Sequence, residues 1–322
     1  MSTPASPPRI GRLAAGPLDA ITDVSGVTVG HVTRDEGDVQ TGVTVIRPHA
    51  GDPYRDKVPA GLAVINGFGK SVGLVQLEEL GQLETPIALT NTFSVPTLSQ
   101  AQIRDCAAHN PETGRGQPAL AAAGTDFAQG AVGAGRGMSS FQLKGGIGSA
   151  SRRVPLRHGG SFTVGALVLA NYGLLPNLLW GGQAVDAQLA KRIDDEAHAQ
   201  AGATEKGSII MVLATDAPLD ARQLGRLALR AGVGLARTGS VYGHGSGDIA
   251  LAFSTAYTLP HLPERPMPAV TLLHETQLDG LFQAAADSVE QAIVHALWHA
   301  QAVAGRNGHR RAALRDLLAP RR

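Results

Sequence analysis

Hydrophobic and polar positions are most legible in the second half of the chain. Gly207-Ser-Ile-Ile-Met-Val-Leu-Ala214 is a short unbroken apolar run, the pattern of a strand buried on both faces. Asp220 then reads as a helix N-cap, and Leu224, Leu227, Ala228, Ala231 and Leu235 recur behind it at helical spacing. A glycine-rich turn, Gly239 to Gly247, comes next. From Asp248 the chain alternates strictly. Ile249, Leu251 and Phe253 fall on one face, and Ala250, Ala252 and Ser254 on the other, which predicts a strand. Asp279 is expected to cap a long helix with a stripe running from Leu281 through Ala285, Val289, Ala292 and Ala296 to Ala300.

The first half is less regular. Residues 1–16 are Pro-rich and aperiodic and read as a flexible arm. Strands are expected at Val27 to Val32, Thr41 to Ile46, Ala60 to Asn66, Ile87 to Leu89 and Ser161 to Asn171, with a helix from Leu98 to His109. Glycine-dense Gly124 to Ser151 reads as loops between short strands, and Gln183 to Gln200 as a polar helix or a loop. Strands and helices mix without a βαβ rhythm, which favours a layered α+β fold over a doubly wound sheet. No repeat and no long linker divides the 322 residues, so one domain is expected.

Composition narrows the function. Lys+Arg is 28 against Asp+Glu 27, and aromatic residues are 4%, so neither a basic face nor a base-stacking platform for nucleic acid is indicated. The single cysteine, Cys106, allows no intrachain disulfide and reads as a buried, inert thiol. The N-terminus has no apolar core, and Phe162 to Trp180 is broken by Asn171, Gly173 and Pro176. The expectation is a soluble cytoplasmic protein with no membrane partner.

Several familiar motifs fail. Gly69-Lys-Ser71 lacks the upstream glycine of a phosphate loop, that position being Val64. Gly133-Ala-Gly-Arg-Gly-Met138 lacks the third glycine of a dinucleotide fingerprint. His295 and His299 would share a helix face, but Ala296 stands where a zincin has glutamate, so no metal is expected. His244-Gly-Ser-Gly-Asp248 is not a nucleophile elbow.

That last segment carries a different chemistry. Ser246 stands at the head of a strand, behind a glycine that leaves its own preceding carbonyl open to attack. Cleavage at Gly245–Ser246 would give Ser246 a free α-amine with a reference pKa of about 7.7–8.0, suited to act as base for the hydroxyl on the same residue. A plain glycine-rich turn fits the same spacing.

Longer blocks bear on that choice. They are Ala20-Ile-Thr-Asp-Val-Ser-Gly-Val-Thr-Val-Gly-His31, Asn66-Gly-Phe-Gly69, Leu89-Thr-Asn-Thr-Phe-Ser94, Lys144-Gly-Gly-Ile-Gly-Ser-Ala-Ser-Arg152, Asn171-Tyr-Gly173, Ala214-Thr-Asp-Ala-Pro-Leu219 and Gly245-Ser-Gly-Asp-Ile249. Over nearly its whole length the chain resembles the L-aminopeptidase/D-esterase and β-peptidyl aminopeptidase family of self-cleaving serine hydrolases. The resemblance implies a four-layer αββα sandwich like that of N-terminal-nucleophile hydrolases. It implies an α chain 1–245, a β chain 246–322, tetramers of such αβ units, no cofactor, and small peptide, amide or ester substrates.

The resemblance also implies site residues. Ser246 would be the nucleophile. Ser288 and Glu290 match a family serine–glutamate pair that supports it. On one regular helix those two side chains diverge by about 200°. Either a new helix starts at Ser288, through a capping box with Gln291, or the helix is covered on both sides. Asn171 is the candidate oxyanion amide, with a turn role equally open. Phe141 stands where the family has a tyrosine hydroxyl. Asp216 reads as a turn residue. An endo-amidase of nylon-type oligomers, an acyltransferase and a non-catalytic binding homologue stay open as alternatives.

Overall fold

The computed structural model describes residues 5–111, 123–157, 159–197 and 207–318. Its strands are, in order, β1 (Thr28–Glu36), β2 (Val39–Arg47), β3 (Asp56–Gly67), β4 (Gln82–Leu83), β5 (Ile87–Leu89), β6 (Ser139–Ser140), β7 (Leu143–Lys144), β8 (Gly146–Pro155), β9 (Ser161–Asn171), β10 (Leu179–Trp180), β11 (Gln183–Ala184), β12 (Ser208–Thr215), β13 (Gly247–Ser254), β14 (Leu259–Pro260), β15 (Val303–Ala304) and β16 (Arg310–Arg311). The α-helices are α1 (Leu74–Leu80), α2 (Val95–His109), α3 (Ala187–Ala197), α4 (Ala221–Leu229), α5 (Ala231–Ala236), α6 (Leu278–Trp298) and α7 (Leu314–Leu318).

Among the described residues the main sheet has seven strands in the order β14-β3-β13-β12-β9-β8, with β4 added on β3. Strand β13 is interior, antiparallel to β3 and parallel to β12. A smaller antiparallel sheet, β1-β2-β5, packs on one face. Leu251 and Phe253 of β13 join Val29, Ile46, Leu167 and Val212 in the core between the sheets. Ala250 and Ala252 join Leu224, Leu227, Val289 and Ile293 in the core under α4, α5 and α6. The alternation read in the sequence is therefore real, but it sorts residues between two cores, and all eight residues of β13 are buried. The result is an α+β sandwich of the expected αββα kind. Helix α2, beyond the smaller sheet, has no buried residue of its own.

Local chemistry explains the helices. Asp220 caps α4 through a reciprocal box with Gln223, at 2.7 Å and 3.1 Å. The single helix expected behind it is two, α4 and α5, meeting at Arg230. Helix α6 begins at Leu278, so Asp279 lies in its first turn and is not its cap. It runs unbroken through Ser288, so no helix restarts there. Every residue from Ala284 to Trp298 is buried, because the sheet covers one side and α5 another. That removes the conflict over Glu290, which is only 5% exposed.

Other expectations change with tertiary context. The Gly124 to Ser151 stretch feeds a full ten-residue strand, β8, and is more than short strands and loops. Residues 187–197 are helical, anchored by buried Ile193, while 198–200 lie outside the described residues. The arm is not loose throughout. Arg152, fully buried, donates to the Ile10 carbonyl at 2.8 Å and to Asp19 and Gln291 at 2.9 Å. Ser151 accepts from the Gly16 amide at 2.9 Å. Residues 1–4 lie outside the described residues. Cys106 is half-buried, its thiol pushed up by burial first and by nearby acids second.

Gly148 lets α6 lie directly on β8. A methyl group there would come within 1.9 Å of the Ala292 carbonyl and 2.6 Å of the Ala296 nitrogen. Gly148→Ala is expected to cost about 1–3 kcal/mol through overpacking, read as a lower urea midpoint with an unchanged slope.

Candidate active site

The segment 237–246 links α5 to β13. Tyr242 adopts a left-handed φ of 54°, unusual for a bulky residue. Its hydroxyl donates to the Gly232 carbonyl, tying the segment to α5. The next four residues form a turn, closed by the Ser246 amide donating to the Gly243 carbonyl at 2.8 Å. Ser246 is fully buried, and its Oγ donates to Asp248 Oδ1 at 2.6 Å.

The turn is held from β3. Asn66 Nδ2 reaches the Gly243 carbonyl at 2.8 Å and the Ser246 carbonyl at 2.5 Å, bracketing the Gly245–Ser246 bond. Asn66 pairs with Asp248 in the sheet, and the register shifts between Asp248 and Ile249, a bulge beside the serine. Close approach explains the surrounding glycines. A methyl on Gly247 would fall 2.2 Å from the Gly69 nitrogen. On the other edge, Ser208 of β12 accepts from the Gly247 amide at 3.1 Å.

Asn171 sits at the same end of the sheet, one strand further on, paired with Ser208. Its Oδ1 accepts the Ser139 amide at 2.9 Å and so anchors the 139–145 loop. Phe141 is in that loop with a φ of 53°, fully buried and edge-on to Tyr172 at 5.2 Å. It is a packing residue here. Lys144 closes the loop by donating to the carbonyls of Gly135 at 2.9 Å, Gly145 at 2.8 Å and Met138. Burial, with a smaller contribution from Arg136, pulls its ammonium down to about 7.

Ser288 and Glu290 are not brought to Ser246. Ser288 Oγ donates to the Val164 carbonyl at 3.1 Å. Val164 is level with Thr215 and, through it, with Ser254, the last residue of β13. At the rise of a strand, that is roughly 20 Å from the Ser246 end. Glu290 lies 3.5 Å from Arg237, its carboxyl pushed up mainly by burial, and the same arginine holds Asp287 at 2.8 Å. The hydrogen bond from Ser288 to Ser246, expected from the resemblance, is thus absent. Ser288 instead ties α6 to β9, and Glu290 ties α6 to the end of α5. Asp216 is also at the far end, accepting from the Thr163 amide at 2.7 Å. His295 bonds the Ser149 carbonyl at 2.7 Å and meets His299 edge-on, as part of the helix packing.

The residues that do surround the serine are Asn66, Tyr242, Asp248 and Ser208. Asn66 and Asp248 stood in recognisable blocks, but only strand pairing shows that they face one another across Ser246.

A buried serine opening an interior strand, behind a strained glycine turn in an αββα sandwich, defines the class as a hydrolase of the N-terminal-nucleophile fold. The profile of peptidase family S58 matches residues 19–121 and 113–311. The chain belongs to this family and is a peptidase. It is 36% identical over 337 residues to beta-peptidyl aminopeptidase BapA of Sphingosinicella microcystinivorans, covering 91% of this chain and 85% of that protein. It is 38% identical to a beta-aminopeptidase structure from Burkholderia sp., with a TM-score of 0.82 over 96% of this chain and 95% of that one. The L-aminopeptidase D-Ala-esterase/amidase of Ochrobactrum anthropi, described as a variant of the Ntn hydrolase fold, shares 31% identity. Its TM-score is 0.83 over 96% of this chain and 94% of its own.

Two measurements test this geometry. Asn66→Ala strands the Gly243 and Ser246 carbonyls and is expected to cost about 1–3 kcal/mol in urea unfolding. Lys144 releases its proton near pH 7 when folded and near about 10.4 when unfolded. Between those values the unfolded chain binds the extra proton, so this residue makes stability rise with pH across that window and fall as pH drops toward 7. Lys144→Met should flatten that slope in melts at pH 7, 8 and 9.

Proposed function

We propose that the chain is a self-processing aminopeptidase that cuts its own Gly245–Ser246 bond and then uses Ser246 as an N-terminal nucleophile. The observation that carries this reading is the placement of Ser246, buried at the head of interior strand β13 in a turn strained at Tyr242. Membership in a peptidase family whose named relatives are aminopeptidases supports it. Because β13 is paired on both edges, to β3 and β12, cleavage before Ser246 leaves the α chain 1–245 and the β chain 246–322 in one sheet.

In the processed enzyme Ser246 Oγ attacks the carbonyl of a substrate's first residue, and the new α-amine takes the proton. The acyl group passes to Oγ, the substrate amine departs with the proton, and water then hydrolyses the ester. Asn66 holds the turn beside the reacting carbonyl through the Gly243 and Ser246 carbonyls, and Asn171 supports the site by fixing the 139–145 loop. Glu290 acts at a distance, by positioning α5 through Arg237, and Ser288 by fixing α6 on β9. Short peptides, amides or esters with an N-terminal β- or D-residue are the proposed substrates, following what the names of the relatives describe.

Val75 of α1 at 83% exposure and Phe93, just before the uncovered α2, at 94% lie open, which supports assembly into a homo-oligomer. Among the described residues no helix is long and apolar enough to cross a membrane.

The test is a denaturing gel with intact mass during incubation, followed by assay on a β-alanyl amide. Wild type should give two fragments divided before Ser246 and release the amine. Ser246→Ala should remain at 33.3 kDa and be inactive. A wild-type chain that stays whole, or a Ser246→Ala chain that is still cut there, would overturn the reading.

A further inference from the structure

The geometry points to Asp248 as the base that takes the Ser246 hydroxyl proton when the chain cuts itself, an inference that rests on reading Ser246 as the self-processing nucleophile. The need for such a group is chemical. In the processed enzyme the Ser246 α-amine accepts the proton. In the uncut chain that nitrogen is an amide, its lone pair delocalised into the peptide bond. Its N–H is also committed to the Gly243 carbonyl at 2.8 Å. The first cut therefore needs a base that the later turnovers do not.

Asp248 Oδ1 stands 2.6 Å from Ser246 Oγ, within the range for direct proton transfer. Ser246 and Asp248 are both 0% exposed, so bulk water is not a competing acceptor. The carboxylate is held there by the sheet. Asp248 is the second residue of β13, paired with Asn66 on one edge and Ile209 on the other, two residues from the serine and on the same side of the chain. The bulge beside this pair lies on β3, where Ile65 is the extra residue between Val64 and Asn66. Asn66 bonds the Gly243 and Ser246 carbonyls, so the residue paired with Asp248 also holds the turn.

The step balances. Asp248 takes the proton from Oγ as a bond forms between Oγ and the Gly245 carbonyl carbon. The bond from that carbon to the Ser246 nitrogen then breaks, and Asp248 returns the proton to the departing nitrogen. An ester now joins Gly245 to Ser246 Oγ. Water adds to it, leaving its hydroxyl on the Gly245 carbon and a hydrogen on Oγ. The new acid ionises to solvent. Asp248 ends as it began, and the free amine is in place.

The test follows self-cleavage of freshly purified full-length chains by intact mass, comparing wild type, Ser246→Ala, Asp248→Asn and Asp248→Ala. Asparagine keeps the shape and removes the basicity. Alanine gives a second route to a folded variant if the amide is not tolerated. Folding is read from a cooperative melt against Ser246→Ala. A folded Asp248 variant that cuts about 100-fold more slowly than wild type, or worse, supports the inference, in line with the usual contribution of a general base. A folded variant that cuts within about threefold of wild type overturns it. Wild type that never cuts removes self-processing itself, whereas cut wild type with an equally fast Asp248→Asn removes only the role of Asp248.

Discussion

Strand β13 is hydrogen-bonded along both edges and covered on both faces. Few positions in a protein are so fixed, and the candidate site is built on its first residues. Pairing with β12 sets Gly247 against Ser208, and pairing with β3 sets Asp248 against Asn66. The glycine at 247 lets the Gly69 backbone close in to a distance that no side chain permits. With the strand immobile, strain at Tyr242 cannot relax into β13. It stays in the four residues before Ser246.

The main sheet separates two tasks. Its Ser246 end gathers Asn66, Asp248, Ser208 and Asn171, the polar groups suited to chemistry. Its other end is closed by structural polar contacts, among them Ser288 to Val164 and Asp216 to Thr163. Helix α6 spans that length. Its middle meets the Arg237 that ends α5, and α5 leads straight into the site. Glu290 and Asp287 are therefore linked to the Ser246 end through Arg237 and α5.

The sequence blocks that carry the resemblance have physical roles in the structure. Lys144 fastens a loop through three carbonyls, Ser149, Ser151 and Arg152 tie the N-terminal arm to the sheet, and Asn66 to Gly69 forms the wall against Gly247. Buried polar groups of this kind need fully defined partners, which is why they occur as blocks and not as isolated residues. Phe141 is the exception. Its ring is committed to packing on Tyr172, so the tyrosine hydroxyl that the resemblance implied has no counterpart at this position.

The sequence alone determined the strands with strong alternation, the capped helix at Asp220, the layered α+β class and the prominence of Ser246, because each is written in local periodicity, capping chemistry or a contiguous block. It could not determine which long-range partners reach the serine. Whether β13 divides core from solvent or one core from another depends on what packs against it. Whether Glu290 can be buried on α6 depends on α5. The resemblance implied that Ser288 and Glu290 stand beside Ser246, yet sheet register sets Ser288 at the opposite end. The same register brings Asn66, 180 residues earlier, onto the Ser246 carbonyl. Register is a property of paired strands, fixed by two burials at once, and no single segment contains it.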